Sequence, residues 1–189
     1  MNQTIRTFIA VPVPDSVSGS IASFASPLKR LDADVKWVRP ESLHLTLKFL
    51  GDVETVRIPA VGDAMAEAVS ESRAFTLQLG GSGFFPNASR PAVIWIGVTK
   101  GAGDLTHLAE AVDAAAVRCG FGAESRPFAA HLTIGRVRSP RGIDRLVTAL
   151  SGSRYESAPF SARTILIMKS DLQRTGAVHT PYRTIQLKD

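Results

Sequence analysis

One short pattern occurs twice and limits what this chain can fold into: His44-Leu-Thr-Leu-Lys-Phe-Leu50 and His131-Leu-Thr-Ile-Gly-Arg-Val137. In both copies apolar and polar residues alternate, the pattern of a half-buried strand. Successive side chains on a strand point to opposite faces. The alternation therefore predicts His44, Thr46 and Lys48 on one face, with Leu45, Leu47 and Phe49 on the other. His131 and Thr133 are set apart from Leu132 and Ile134 in the same way. Each strand offers an imidazole that exchanges a proton near neutral pH, beside a hydroxyl that can hold an anionic oxygen. A lone histidine on a strand is usually structural. A second His-x-Thr is different, because packing would specify only the apolar partners.

The 189 residues are 44% hydrophobic and 21% charged, enough apolar sequence for a real core and no sign of disorder. One bilobal domain spanning 1–189 is the expected organisation. A net charge of +5 and a pI near 9.8 favour an anionic partner such as RNA or a nucleotide, although no block of Lys/Arg forms a nucleic-acid arm. The single cysteine, Cys119, excludes an internal disulfide and a cysteine-based zinc cluster. Its place in the series Leu105, Leu108, Val112, Ala116, Cys119 predicts a small buried residue. No apolar run is long enough to span a bilayer and the N-terminus lacks a signal-peptide core, so the expected compartment is the cytoplasm. Nothing calls for an oligomer, and a monomer is expected.

Taken in order, Thr7 to Val13 reads as a strand. Asp15 stands as an N-cap for a helix carrying Val17, Ile21, Phe24, Leu28 and Leu31, which Pro27 should kink or end. Val35 to Val38 is a short strand, and Arg39-Pro-Glu-Ser42 a turn into the first histidine strand. Ile58 to Val69 repeats at helical spacing. Phe75 to Leu79 alternates as a strand, and Gly80 to Pro86 reads as a glycine-rich connection without the helix start or Lys-Ser/Thr of a phosphate loop. Phe84 or Phe85 is placed there to line a cleft. Ala92 to Val98 is an apolar, central strand. Asp104 to Cys119 is a helix, and Ile143 to Leu150 a shorter one. Phe160 to Met168 and Val178 to Leu187 are strands around a loop, Ser170 to Ala177. Strand, helix, histidine strand, helix, strand is thus followed by a similar series. The Trp37 to His44 connection is too short for a parallel crossover, which predicts an α+β fold with antiparallel neighbours, two small sheets facing each other and helices outside.

The other histidines lack the pattern. His107 lies off the apolar stripe of its helix and His179 has no threonine two positions on, so both are predicted at the surface. A zinc site from His44, His131 and one of these has no His-Glu-x-x-His helix or acidic cluster behind it. Nor is there a Gly-x-Ser-x-Gly elbow or a Walker lysine. Paired imidazoles suit displacement at a phosphodiester. One takes a proton from attacking water, the other gives one to the departing oxygen, and threonine hydroxyls and a nearby cation hold the phosphate oxygens.

These residues resemble the two-histidine (2H) phosphoesterase superfamily and, within it, the RNA 2′,3′-cyclic phosphodiesterase group, also named RNA 2′-5′ ligase. The likeness includes Phe8-Ile-Ala, Trp37-Val-Arg-Pro-Glu41, Leu43 to Gly51, Arg126-Pro-Phe128 and His131 to Arg136. It implies a bilobal α+β fold with two pseudo-symmetric, antiparallel-rich sheets facing a central cleft, and no metal or other cofactor. It implies hydrolysis of a terminal 2′,3′-cyclic phosphate on RNA to a 2′-phosphate, reversible as 2′-5′ ligation. His44 is then the proton donor to the 3′-oxygen, His131 the proton acceptor from water, and Thr46, Thr133 and Arg136 bind the phosphate. Strand alternation gives Arg136 the opposite parity from His131, so its contact requires the strand to end or twist near Gly135. Three alternatives remain open at this point: a small cyclic nucleotide or 2′-5′ oligonucleotide as substrate, a phosphate-gripping module without turnover, and a metal hydrolase.

Overall fold

The computed structural model describes residues 3–173 and 176–189. The elements run β1 (Thr4–Pro12), α1 (Asp15–Lys29), β2 (Val35–Trp37), β3 (His44–Glu54), α2 (Ile58–Ala68), β4 (Phe75–Phe85), β5 (Val93–Lys100), α3 (Ala102–Arg118), β6 (His131–Val137), α4 (Ile143–Ser151), β7 (Phe160–Ala162), β8 (Thr164–Gln173) and β9 (Gly176–Gln186). Short 3-10 turns at Pro40–Ser42 and Thr55–Arg57 precede β3 and α2.

Four strands form one sheet, in the order β3-β1-β8-β9, and five form the other, β2-β6-β5-β4-β7. Every pair of neighbours is antiparallel. The fold is α+β, as the sequence predicts, and the duplication is visible in it. β3-β1 from the first half is extended by β8 from the second, and β6-β5 from the second half is extended by β4 from the first. The helices also cross over. α3 follows a strand of the second sheet yet packs on β3 of the first, and α1 follows β1 yet packs against α4 beside β4. Ser20 of α1 bonds the Tyr155 hydroxyl at 2.7 Å on that side.

β1 is central, which explains its unbroken apolar run. Ile9 and Val11 enter the main core under the helices, whereas Phe8 and Ala10 join Met168 in a second buried cluster on the opposite face. That second face is the wall of the cleft.

Several local expectations are corrected. Gly80 to Pro86 is not a separate connection, because β4 runs to Phe85. Gly81, at φ +66, takes up a bulge opposite β5, and Gly83 lies under the Trp95 indole where any Cβ would collide. The strand needs glycine there for steric reasons. Ser170 to Ala177 is mostly strand, since β8 and β9 pair as far as Gln173 and Gly176, while 174–175 lie outside the described residues. α1 begins at Asp15 after Pro14 with no side-chain cap, and continues past Pro27 to Lys29. Cys119 is half-buried at the end of α3 rather than in the core. No helix is long and apolar enough to cross a membrane among the described residues.

Candidate active site

His44 opens β3 and His131 opens β6, one on each sheet, and each is fixed in the same way. His44 Nδ1 lies 2.8 Å from the Ser42 carbonyl and His131 Nδ1 lies 2.7 Å from the Ala129 carbonyl. A carbonyl only accepts, so Nδ1 carries the hydrogen in both rings and Nε2 is left as the nitrogen able to take up a proton. Both rings line one cavity of about 1170 Å³, together with Thr46, Thr133 and Arg136. The structure therefore brings all five residues named from the sequence into one cleft. Among the described residues, neither threonine hydroxyl is spent on a protein hydrogen bond.

A β-bulge in each histidine strand decides what stands beyond the threonine. In β3, Thr46 pairs with Ala10 but Lys48 pairs with Ile9, leaving Leu47 as the extra residue. In β6, Thr133 pairs with Trp95 but Gly135 pairs with Ile94, leaving Ile134 as the extra one. An extra residue flips the parity of everything after it. Arg136 consequently shares the face of His131 and Thr133, which is the change of direction that its contact requires. The same flip corrects the reading of β3. Lys48 leaves the cleft face and Phe49 joins it, 57% exposed, with its ring 5.9 Å from Phe8. The two walls are alike up to the threonine and then differ, offering an aromatic ring on one side and a guanidinium on the other.

Lys48 is only 3% exposed. Its ammonium meets Asp113 of α3 at 2.6 Å, Glu124 at 3.1 Å and the Gly122 carbonyl at 2.7 Å. Burial opposes that charge, but the two carboxylates outweigh it and hold the lysine above its usual range. The result is a strut from β3 to the segment that carries Arg126 and leads into His131.

His179, predicted at the surface, is instead part of the site. It is half-buried on β9, and the curl of the first sheet brings it to His44. Phe8 stacks on His44 at 4.7 Å, and His179 stands nearly perpendicular to both, 5.0 Å from Phe8 and 5.3 Å from His44. Three nearly equal separations place it against the side of the stacked pair. Its Nδ1 is buried without a hydrogen-bond partner among the described residues. On the other wall Phe85 meets His131 edge-on at 4.9 Å, so of the two phenylalanines proposed for the cleft Phe85 lines it and Phe84 is buried. His107 is exposed, as predicted.

The first histidine is electrostatically distinctive. Burial above all, with His179 and Arg136 adding like-charge repulsion, lowers His44 from 6.5 to about 4 against the opposing bond to Ser42. Burial, then Arg39, also lowers His179. The unfolded chain would bind the His44 proton first, so the stability this group contributes is full above pH 6.5 and is lost as pH falls towards 4. Thermal melts of the ligand-free protein should decline across that window, and decline less in His44→Gln. In His179→Phe, which keeps a ring but removes its charge, the His44 midpoint read by ring-proton NMR should rise above 4. An unmoved midpoint would remove His179 from this role.

Among the described residues no group of three or more His, Cys, Asp or Glu side chains is placed to hold a metal ion.

Two facing antiparallel sheets, each presenting a histidine and a threonine to a common cleft, define a two-histidine phosphoesterase. The family model described as LigT-like phosphoesterase matches this chain twice in succession, over residues 11–95 and 96–179. The chain belongs to that family. The tandem match also agrees with the duplication read from strand order. An Archaeoglobus fulgidus protein named RNA 2′,3′-cyclic phosphodiesterase is 38% identical over 187 residues, covering 96% of this chain and 100% of its own length. A protein of the same name from Methanothermobacter thermautotrophicus is 30% identical over 184 residues, covering 97% and 99%. Among solved structures, E. coli LigT complexed with 3′-AMP superposes with a TM-score of 0.81 at 23% identity, over 99% of this chain and 100% of that one. A Thermus thermophilus protein gives 0.79 at 26% identity, over 97% and 98%.

Proposed function

We propose that this chain is an RNA 2′,3′-cyclic phosphodiesterase, a phosphoric diester hydrolase that opens a terminal cyclic phosphate to a 2′-phosphate. The observation that carries the reading is the matched pair of imidazoles with Nδ1 tied back and Nε2 free, each beside an uncommitted threonine hydroxyl. Water attacks phosphorus while His131 takes its proton, the bond from phosphorus to the 3′-oxygen breaks, and His44 protonates that oxygen. Thr46, Thr133 and Arg136 hold the non-bridging oxygens as charge builds on them. The reverse reaction, with a 5′-hydroxyl in place of water, would form a 2′-5′ linkage. Residues 1–189 act in this reading as one bilobal domain and a monomer, in the cytoplasm, without metal or cofactor.

As the acid, His44 must hold a proton that its burial disfavours. The bound phosphate anion supplies the missing opposite charge and raises its proton affinity again. That same disfavour supports a second reading in which His44 is the base and His131 the acid. Replacing the 3′-bridging oxygen by sulfur, which leaves without a proton, separates them. The substitution should rescue His44→Ala if His44 is the acid, and His131→Ala if the roles are exchanged. The function itself is tested by the product of an RNA oligonucleotide ending in a 2′,3′-cyclic phosphate. A 2′-phosphate end is expected, whereas tight binding without turnover would reduce the site to a phosphate clamp.

A further inference from the structure

Lys36 of β2 and Arg136 of β6 are direct partners across neighbouring antiparallel strands. Both are exposed and both line the cleft. Like charges directly opposite one another destabilise a strand pair. Among the described residues neither is within ion-pair distance of a carboxylate to offset this, and Asp34, two residues before Lys36, instead accepts at Oδ2 from the Ser139 hydroxyl at 2.7 Å. An anion lying across both side chains would remove the repulsion. The position suits a polymer as well, because β2 is the edge of the five-stranded sheet. A strand held by its last phosphate between the histidines has to leave the cleft over a rim, and Lys36 stands on one, next to the arginine assigned to the reacting phosphate.

We propose that Lys36, beside Arg136, forms a second phosphate subsite that holds the phosphodiester one nucleotide before the reacting end. The inference rests on the phosphodiesterase reading above and adds to it the side chain that recognises the phosphate preceding the reacting end. The division of labour fits the side chains. A planar guanidinium suits the fixed geometry of the reacting phosphate, and a flexible ammonium suits a backbone phosphate whose position varies with sequence.

Three substrates test it: a nucleoside 2′,3′-cyclic phosphate with a free 5′-hydroxyl, the same compound carrying a 5′-phosphate, and a dinucleotide ending in the cyclic phosphate. For the wild type, kcat/KM should rise about 10-fold from the first to the other two, the size of one charge-assisted hydrogen bond. In Lys36→Ala that ratio should fall close to one, and Lys36→Arg should restore much of it. The log–log salt slope on a longer RNA should flatten by about 0.7 in Lys36→Ala, the value for one phosphate left unneutralised on a single strand. Affinities for a nucleoside 2′-monophosphate and 2′,5′-bisphosphate make the same comparison without turnover, so failure of hydrolysis and failure of the subsite are read separately. A preference for the 5′-phosphate that survives Lys36→Ala overturns the proposal, as does a wild type with no such preference.

Discussion

Replacing either His44 or His131 by alanine is expected to lower kcat on an RNA 2′,3′-cyclic phosphate by about 10²–10⁴-fold, the range for losing a general acid or base. KM should change much less, because in the proposed mechanism Thr46, Thr133 and Arg136 still grip the phosphate. The double variant should be little slower than the worse single one, since an acid and a base that act in one displacement fail together. Both rings are half-buried at strand starts, with Nδ1 bonded only to a local carbonyl. Melting temperature, measured alongside, should show both single variants folded. Losses below tenfold in either variant would mean that its imidazole is not the proton carrier.

The second large effect is on stability. Lys48→Met should destabilise the protein by about 2 kcal/mol in urea unfolding, below the 3–5 kcal/mol typical of a fully buried pair. The discount arises because Asp113 and Glu124, at 27% and 54% exposure, can recover part of their hydration. The variant should also raise KM, because the strut from β3 holds the segment bearing Arg126, which lines the cleft. Asp113→Asn with Glu124→Gln in the Lys48→Met background should regain stability, since the uncompensated carboxylates are then gone. A Lys48→Met protein as stable as the wild type would show that the three charges contribute nothing net.

The central parts of this site are legible in the sequence because they are local. Alternation over His44 to Leu47 and over His131 to Ile134 fixes which side chains stand together, and their repetition identifies the pair. What lies beyond the threonines is not legible, because a bulge is decided by the partner strand. Leu47 and Ile134 are each left over only when β3 is laid on β1 and β6 on β5. Gly135 is the single local hint, a glycine inside a strand. Alternation alone therefore assigns Lys48 to the wrong face and sets Phe49 opposite the cleft it joins. His179 carries no signal at all in its own neighbourhood. Its contact with His44 arises from the curl of a sheet whose strand order joins both halves of the chain. Likewise Lys36 reads as an ordinary exposed residue until its register with Arg136 is known.

The most direct measurement is kcat/KM against pH on an RNA 2′,3′-cyclic phosphate end in excess EDTA, for the wild type, His44→Ala and His131→Ala. Paired imidazoles predict undiminished wild-type activity with a bell-shaped profile, and the loss of one limb in each variant, because one ring must carry its proton while the other does not. Wild-type activity abolished by EDTA and restored by a divalent cation, or a profile that keeps both limbs when a histidine is removed, would contradict the two-histidine mechanism.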